Sequence, residues 1–185
     1  MQALSWAGDD VFLLDQWRAQ ADIKEAVRAL RIGVTNCRPS AVLIECSGYG
    51  PTLAYDLRKR FRLLDVHLVP TDGRSKTRRL LDHIDTMQGN RIKLPQDAPW
   101  CEDWLTELEQ FPHGPFDDQI DTLTQALDFI RQYPHLRKTR ERCVGVHLNT
   151  RGVARVASPI PFGDRAAYAS LTRGSRLKRI FPEQA

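Results

Sequence analysis

Pro39-Ser40-Ala41-Val42-Leu43-Ile44-Glu45-Cys46-Ser47-Gly48-Tyr49-Gly50-Pro51 is the stretch that decides the fold. Four consecutive apolar residues, Ala41 to Ile44, bounded by Pro39 and a Ser/Gly turn, suit a short strand buried on both faces, because a half-exposed strand would alternate apolar with polar. Pro51, just past the turn, is placed to open a helix, and Leu53, Leu57 and Phe61 give that helix an apolar face. A strand leading through a tight turn into a helix is the building unit of α/β domains. Glu45 falls at the C-terminal end of the strand, where such sheets place their ligand sites.

Outward toward the N-terminus, Asp22 is placed to cap a helix whose apolar positions Ile23, Val27, Leu30 and Val34 recur at helical spacing. Before it, Gln2 to Trp6 and Val11 to Leu14 flank a Gly/Asp turn and predict a β-hairpin. Outward toward the C-terminus, Val66 to Val69 predicts a strand. Ser75 then caps a helix through Leu80, Leu81, Ile84 and Met87 to a stop at Gly89. Arg91 to Leu94 predicts a short strand and Trp100 to Phe111 a helix. Asp117 and Asp118 open a last helix, with Ile120, Leu123, Leu127 and Ile130 on one face, that ends near Pro134. The order predicts an α/β domain: a mixed sheet flanked by helices. Residues 135–185 carry only a hairpin-like patch, Val144 to Val156, and read as an extension of the 1–134 domain.

The 185 residues suffice for one α/β domain with a real core. The net charge of +4 conceals a split: residues 1–130 hold 15 Lys and Arg against 20 Asp and Glu, residues 131–185 hold 12 against 3. A basic tail on an acidic body is what a phosphate-tracking extension would carry, although a merely solvated tail has the same composition. No apolar run approaches the roughly 18 residues that span a bilayer, which predicts no membrane partner. The four cysteines are far apart and form no CxxC pair, so neither a zinc site nor a disulfide framework is expected.

Glu45 and a cluster of three aspartates are the candidates for chemistry. Glu45 ends a buried strand, where an ionised carboxylate needs a partner or a metal; bonding to the Ser47–Gly50 turn would satisfy it as well. Asp117, Asp118 and Asp121 lie at a helix start, where one acid suffices for capping. Three exceed that need, and with Glu45 they could form an oxygen-rich cradle for Mg²⁺ or Mn²⁺. Lys76, Arg78 and Arg79 form either a solvated helix face or a phosphate-contacting group. His67 and His113 lack the spacing of metal ligands. No GxxxxGKS or GxxxxGKT phosphate loop is present, so the chain holds no ATPase motor, and no GxGxxG follows a strand.

Several segments, in this order, resemble the nuclease domain of phage terminase large subunits. They are Phe12-Leu13-Leu14-Asp15-Gln16-Trp17-Arg18, Leu43-Ile44-Glu45 with Ser47-Gly48-Tyr49-Gly50 and Leu57, Asp72 to Arg78 with Lys76, and Gly89-Asn90-Arg91-Ile92-Lys93-Leu94-Pro95. The series continues with Ala98-Pro99-Trp100, Glu107-Leu108, Phe111-Pro112-His113-Gly114, Asp117-Asp118-Gln119-Ile120-Asp121 and Gln125-Ala126-Leu127. Each match is modest; the ordered set is specific.

The resemblance implies a ribonuclease H-like fold that cuts concatemeric DNA during genome packaging. It implies two divalent ions about 4 Å apart, flanking in-line attack by an activated water. Glu45 would be the second family acid and the Asp117-Asp118 pair the third, with Asp118 the direct ligand, Asp117 beside it and Asp121 near. Implied partners are double-stranded DNA, the terminase ATPase domain, the small terminase subunit and the portal, in the cytoplasm of a bacterial host. The first family aspartate belongs to a strand upstream of the hairpin, so the domain is expected to be N-terminally truncated. None of Asp9, Asp10 and Asp15 is an evident substitute. Such a chain would be either an endonuclease completed by another strand or an incomplete DNA-binding remnant, and the gap predicts self-association through an exposed sheet edge. A piece docking on portal or ATPase partners is the third reading.

Overall fold

The computed structural model describes residues 1–70, 73–134, 143–144 and 168–170. Their elements run β1 (Gln2–Ala7), β2 (Asp10–Gln16), α1 (Ile23–Cys37), β3 (Ala41–Glu45), α2 (Gly50–Arg60), β4 (Asp65–Val69), α3 (Lys76–Leu81) and α4 (Ile84–Gln88). There follow β5 (Ile92–Pro95), α5 (Cys101–Gln110), α6 (Asp118–Gln132), β6 (Cys143–Val144) and β7 (Tyr168–Ser170).

The strands make one mixed sheet in the order β4-β3-β6-β1-β2-β5-β7. β1 and β2 are antiparallel, joined through Gly8 and Asp9 with Ala7 opposite Asp10. Gly8 holds φ +63, the left-handed region where a Cβ is penalised, which is why this turn carries glycine. β3 and β4 run parallel from Ala41 opposite Asp65 to Glu45 opposite Val69. Between these pairs lies β6, antiparallel to β1 at Leu4 and Ser5 and parallel to β3 at Ala41. β5 lies parallel to β2, and β7 antiparallel to β5. A mixed sheet flanked by helices is the ribonuclease H-like α/β topology expected from the sequence.

Burial on both faces of the central strands explains their apolar runs. Ala41 and Leu43 join a core with Leu4, Leu13, Trp104 and Leu123, beneath α3 to α6. Val42 and Ile44, pointing the other way, join Leu30, Leu53, Leu57 and Val66 beneath α1 and α2. Alternate side chains of one strand thus feed two cores, the three-layer solution for a sheet with no solvent face. Each buried Leu, Ile or Val contributes roughly 1.5–3 kcal/mol relative to exposure.

Local signals set the helix starts. The Asp22 carboxylate accepts from the Glu25 amide at 2.9 Å while the Asp22 amide donates to Glu25 at 3.1 Å, a reciprocal capping box opening α1. The Ser75 hydroxyl accepts from the Arg78 amide at 3.2 Å and opens α3. The expected single helix from Ser75 to Gly89 is divided, α3 ending at Leu81 and α4 beginning at Ile84. At the break, His83 turns inward, 94% buried, and meets Asp128 of α6 at 3.0 Å. A long-range polar contact of this kind is invisible to helical periodicity. Of the hairpin-like patch, Val144 falls in β6, and the rest lies outside the described residues. Among the described residues no helix is long and apolar enough to cross a membrane.

Candidate functional site

β3 delivers Glu45 to the C-terminal edge of the sheet, half-buried. The turn behind it folds back tightly: the Gly50 amide donates to the Ser47 carbonyl at 2.8 Å. A Cβ on Gly50 would lie 1.9 Å from the Glu45 carbonyl oxygen. Only glycine therefore lets α2 begin this close to the strand end, which fixes the backbone that carries Glu45.

α6 delivers the aspartates, and its N-terminus is capped from elsewhere. Asp117 occupies the N-cap position without a side-chain capping bond. Instead Glu107 of α5, 95% buried, accepts from the Gln119 amide at 2.7 Å and from Gln119 Nε2 at 2.5 Å. Arg18 Nη1 lies 3.4 Å from the same carboxylate, and the Arg18 guanidinium stacks 4.4 Å over the Phe116 ring. Because a neighbouring helix supplies the cap, Asp117 and Asp118 are released from the structural duty that the sequence alone would assign them. Glu107 supports the site, a role that the sequence, which offered it only within the matched Glu107-Leu108 segment, did not assign. Apart from that segment the signal was a Glu inside an amphipathic helix, which marks solvent faces more often than buried caps.

Lys76 and Arg79, three residues apart on α3, share a helix face and turn it to the aspartates. Lys76 Nζ lies 2.7 Å from Asp117 Oδ1, 3.8 Å from Asp118 and 3.9 Å from Asp121. Arg79, buried, pairs with Asp121, and its Nη1 also donates to the Arg74 carbonyl at 3.2 Å. Arg78 points away, 69% exposed at its side chain and 3.0 Å from Asp82. Of the three basic residues read from the sequence, two join the acidic cluster and one forms the solvated face.

Electrostatics follow from this packing. Burial acts to lower the Lys76 pKa, but the hydrogen bond to Asp117 and the charges of Asp121, Asp117 and Asp118 outweigh it and leave the ammonium above its ordinary value. Burial raises the Asp118 carboxyl above the usual aspartate range; Lys76 opposes that rise and Asp117 adds to it.

Glu45, Lys76, Arg79 and Asp121 line one cavity of about 560 Å³, which extends past Gln125 to Phe129 and Tyr133. Asp118 lines a separate, smaller recess with Arg18, Gln119 and Thr122. The structure thus brings Asp117, Asp118 and Asp121 together around Lys76 and sets Glu45 on the same cavity as Asp121. The donors suit a hard divalent ion, since all are carboxylate oxygens. Their arrangement does not: among the described residues no three His, Cys, Asp or Glu side chains converge as a metal group.

Residues 4–128 match the family model described as a terminase RNaseH-like domain. No curated protein and no solved structure matches the chain.

Proposed function

Because the chain belongs to the terminase RNase H-like domain family, we propose that it is a metal-dependent DNA endonuclease domain of a phage terminase large subunit, cutting concatemeric DNA during packaging. The observation that carries this reading is the single cavity shared by Glu45, Lys76, Arg79 and Asp121 inside the matched segment. In this reading Glu45, on the cavity, and Asp118 and Asp117, beside it around Lys76, are the catalytic carboxylates, and Asp121 is a further oxygen donor for Mg²⁺ or Mn²⁺. Lys76, Arg78 and Arg79 meet the DNA backbone. Phosphates would compete with Asp117 and Asp121 for Lys76 and Arg79, so gripping DNA and freeing the carboxylates are coupled. The body of the domain runs to about residue 134, and the basic segment 135–185, which supplies β6 and β7 to the same sheet, adds phosphate contacts. Double-stranded DNA, the ATPase domain, the small terminase subunit and the portal are its partners, in the cytoplasm of a bacterial host.

A second reading, an incomplete DNA-binding remnant of such a domain, is favoured by one observation: the α6 carboxylates are held by Lys76 and Arg79, and among the described residues no three metal-ligating side chains converge. Cleavage of supercoiled plasmid separates the two. With Mn²⁺ or Mg²⁺ the endonuclease reading expects nicking that chelator abolishes and that Glu45→Ala and Asp118→Ala each reduce at least 100-fold, on the order of a lost metal ligand. A folded chain that binds DNA in a salt-dependent way and never nicks it establishes the remnant.

A further inference from the structure

The cavity beside the aspartates continues along α6 to a wall of rings. Asp121, Gln125, Phe129 and Tyr133 follow one another at four-residue intervals, so one stripe about 18 Å long joins the carboxylates to the end of the helix. The Phe129 ring lies 4.8 Å from His67, near edge-on, and 4.5 Å from Tyr133 at an interplanar angle of 33°. Midway along the stripe, Gln125 is 8% exposed, and its Oε1 is buried without a hydrogen-bond partner among the described residues. A buried amide oxygen with no donor is a standing cost, and one that lines a cavity calls for a ligand that donates to it.

The charges select the ligand class. Three cations line the cavity, Arg74, Lys76 and Arg79, and three carboxylates match them, Glu45, Asp121 and Asp128. A free anion would meet as many negative groups as positive. A neutral, flat heteroaromatic ring bearing an amine or ring N–H instead meets cavity-lining aromatic residues and an orphaned acceptor. The volume, about 560 Å³, lies within the roughly 300–1,000 Å³ of small-molecule sites.

We propose that this cavity seats one unpaired nucleobase of a DNA strand, stacked on the Phe129–Tyr133 wall and donating to Gln125 Oε1, with the adjoining phosphates toward Arg74 and Lys76. The inference rests on the DNA-processing reading above and deepens it: the strand is engaged with a base out of the duplex, as base-extruding sites do by stacking and edge recognition.

The test uses the full chain in chelator, so that no cleavage enters the readout. Fluorescence anisotropy compares a labelled single strand of ~12 nucleotides, the same strand with abasic sites at its centre, and its duplex. The intact strand should bind about tenfold tighter than the abasic one, on the scale of one base–aromatic stack. Gln125→Leu and Tyr133→Leu should each remove most of that difference. Gln125→Leu replaces an unsatisfied amide by an apolar group of similar size, so it folds at least as well as the parent, and wild-type affinity for the intact strand in this variant overturns the proposal. Equal affinity for intact and abasic strands, with duplex binding retained, overturns the base site and leaves the DNA-processing reading standing. A folded chain that binds none of the three overturns both.

Discussion

Glu45 shows how much a single backbone position decides. Its place at a strand end follows from the apolar run before it, but its fixed position depends on Gly50, whose missing Cβ leaves room for the Glu45 carbonyl. Gly50→Ala forces a Cβ against backbone that cannot swing aside, and is expected to destabilise by about 2–4 kcal/mol, in the range of steric and backbone strain combined. Urea denaturation checks this, and a loss under 1 kcal/mol would show that the turn relaxes freely. The candidate acids were legible because type and position can be read from sequence. Their partners were not: Lys76 reaches across 41 residues to Asp117, and no local rule links the two.

Helix α6 is held in place by an acid from its neighbour. Glu107, on α5, satisfies the second amide of α6 and the Gln119 side chain, and lies within ion-pair distance of Arg18. Glu107→Ala leaves those donors buried without an acceptor, and a stability loss of about 3 kcal/mol is expected, as for truncating one member of a buried charged network. Glu107→Gln keeps one acceptor and should lose roughly half as much. If thermal unfolding of both variants matches the parent, Glu107 does not cap α6. The contrast with α1 is instructive: the Asp22–Glu25 box is local and was half visible as Asp22 before an apolar period. The α6 cap comes from 12 residues away, and local pattern assigned that duty to Asp117 and Asp118 instead.

Across the molecule, two half-buried carboxyls add a pH-dependent contribution to stability. Burial pushes Asp15 up to about 6, against a bond from the Gln16 amide and the charge of the chain's amino group; Asp118 is raised in the same sense. A carboxyl raised on folding favours the protonated state. Its stabilising contribution is therefore full below the unfolded pKa near 3.8 and is lost as pH rises through about 6. Asp15→Asn removes that loss while keeping an oxygen for the Gln16 amide. The variant should melt higher than the parent at pH 7.5 and equally at pH 4, by calorimetry. A uniform offset at both pH values would place the effect in packing rather than titration.

By itself the sequence determined the α/β class, nearly all the elements from β1 to α6, and the acidic residues available for chemistry. Those follow from period, capping and turn chemistry, which act over a few residues, and from motifs in an ordered series. Only the tertiary structure decided that Lys76 and Arg79 hold the aspartates while Arg78 faces water, that His83 breaks the helix between Ser75 and Gly89, and that β6 lies between β1 and β3. It also decided that Glu45 shares a cavity with Asp121 and an orphaned Gln125. The physical reason is range. Ion pairs, buried caps and sheet order join residues tens of positions apart, and their energies depend on burial that exists only once the layers have packed.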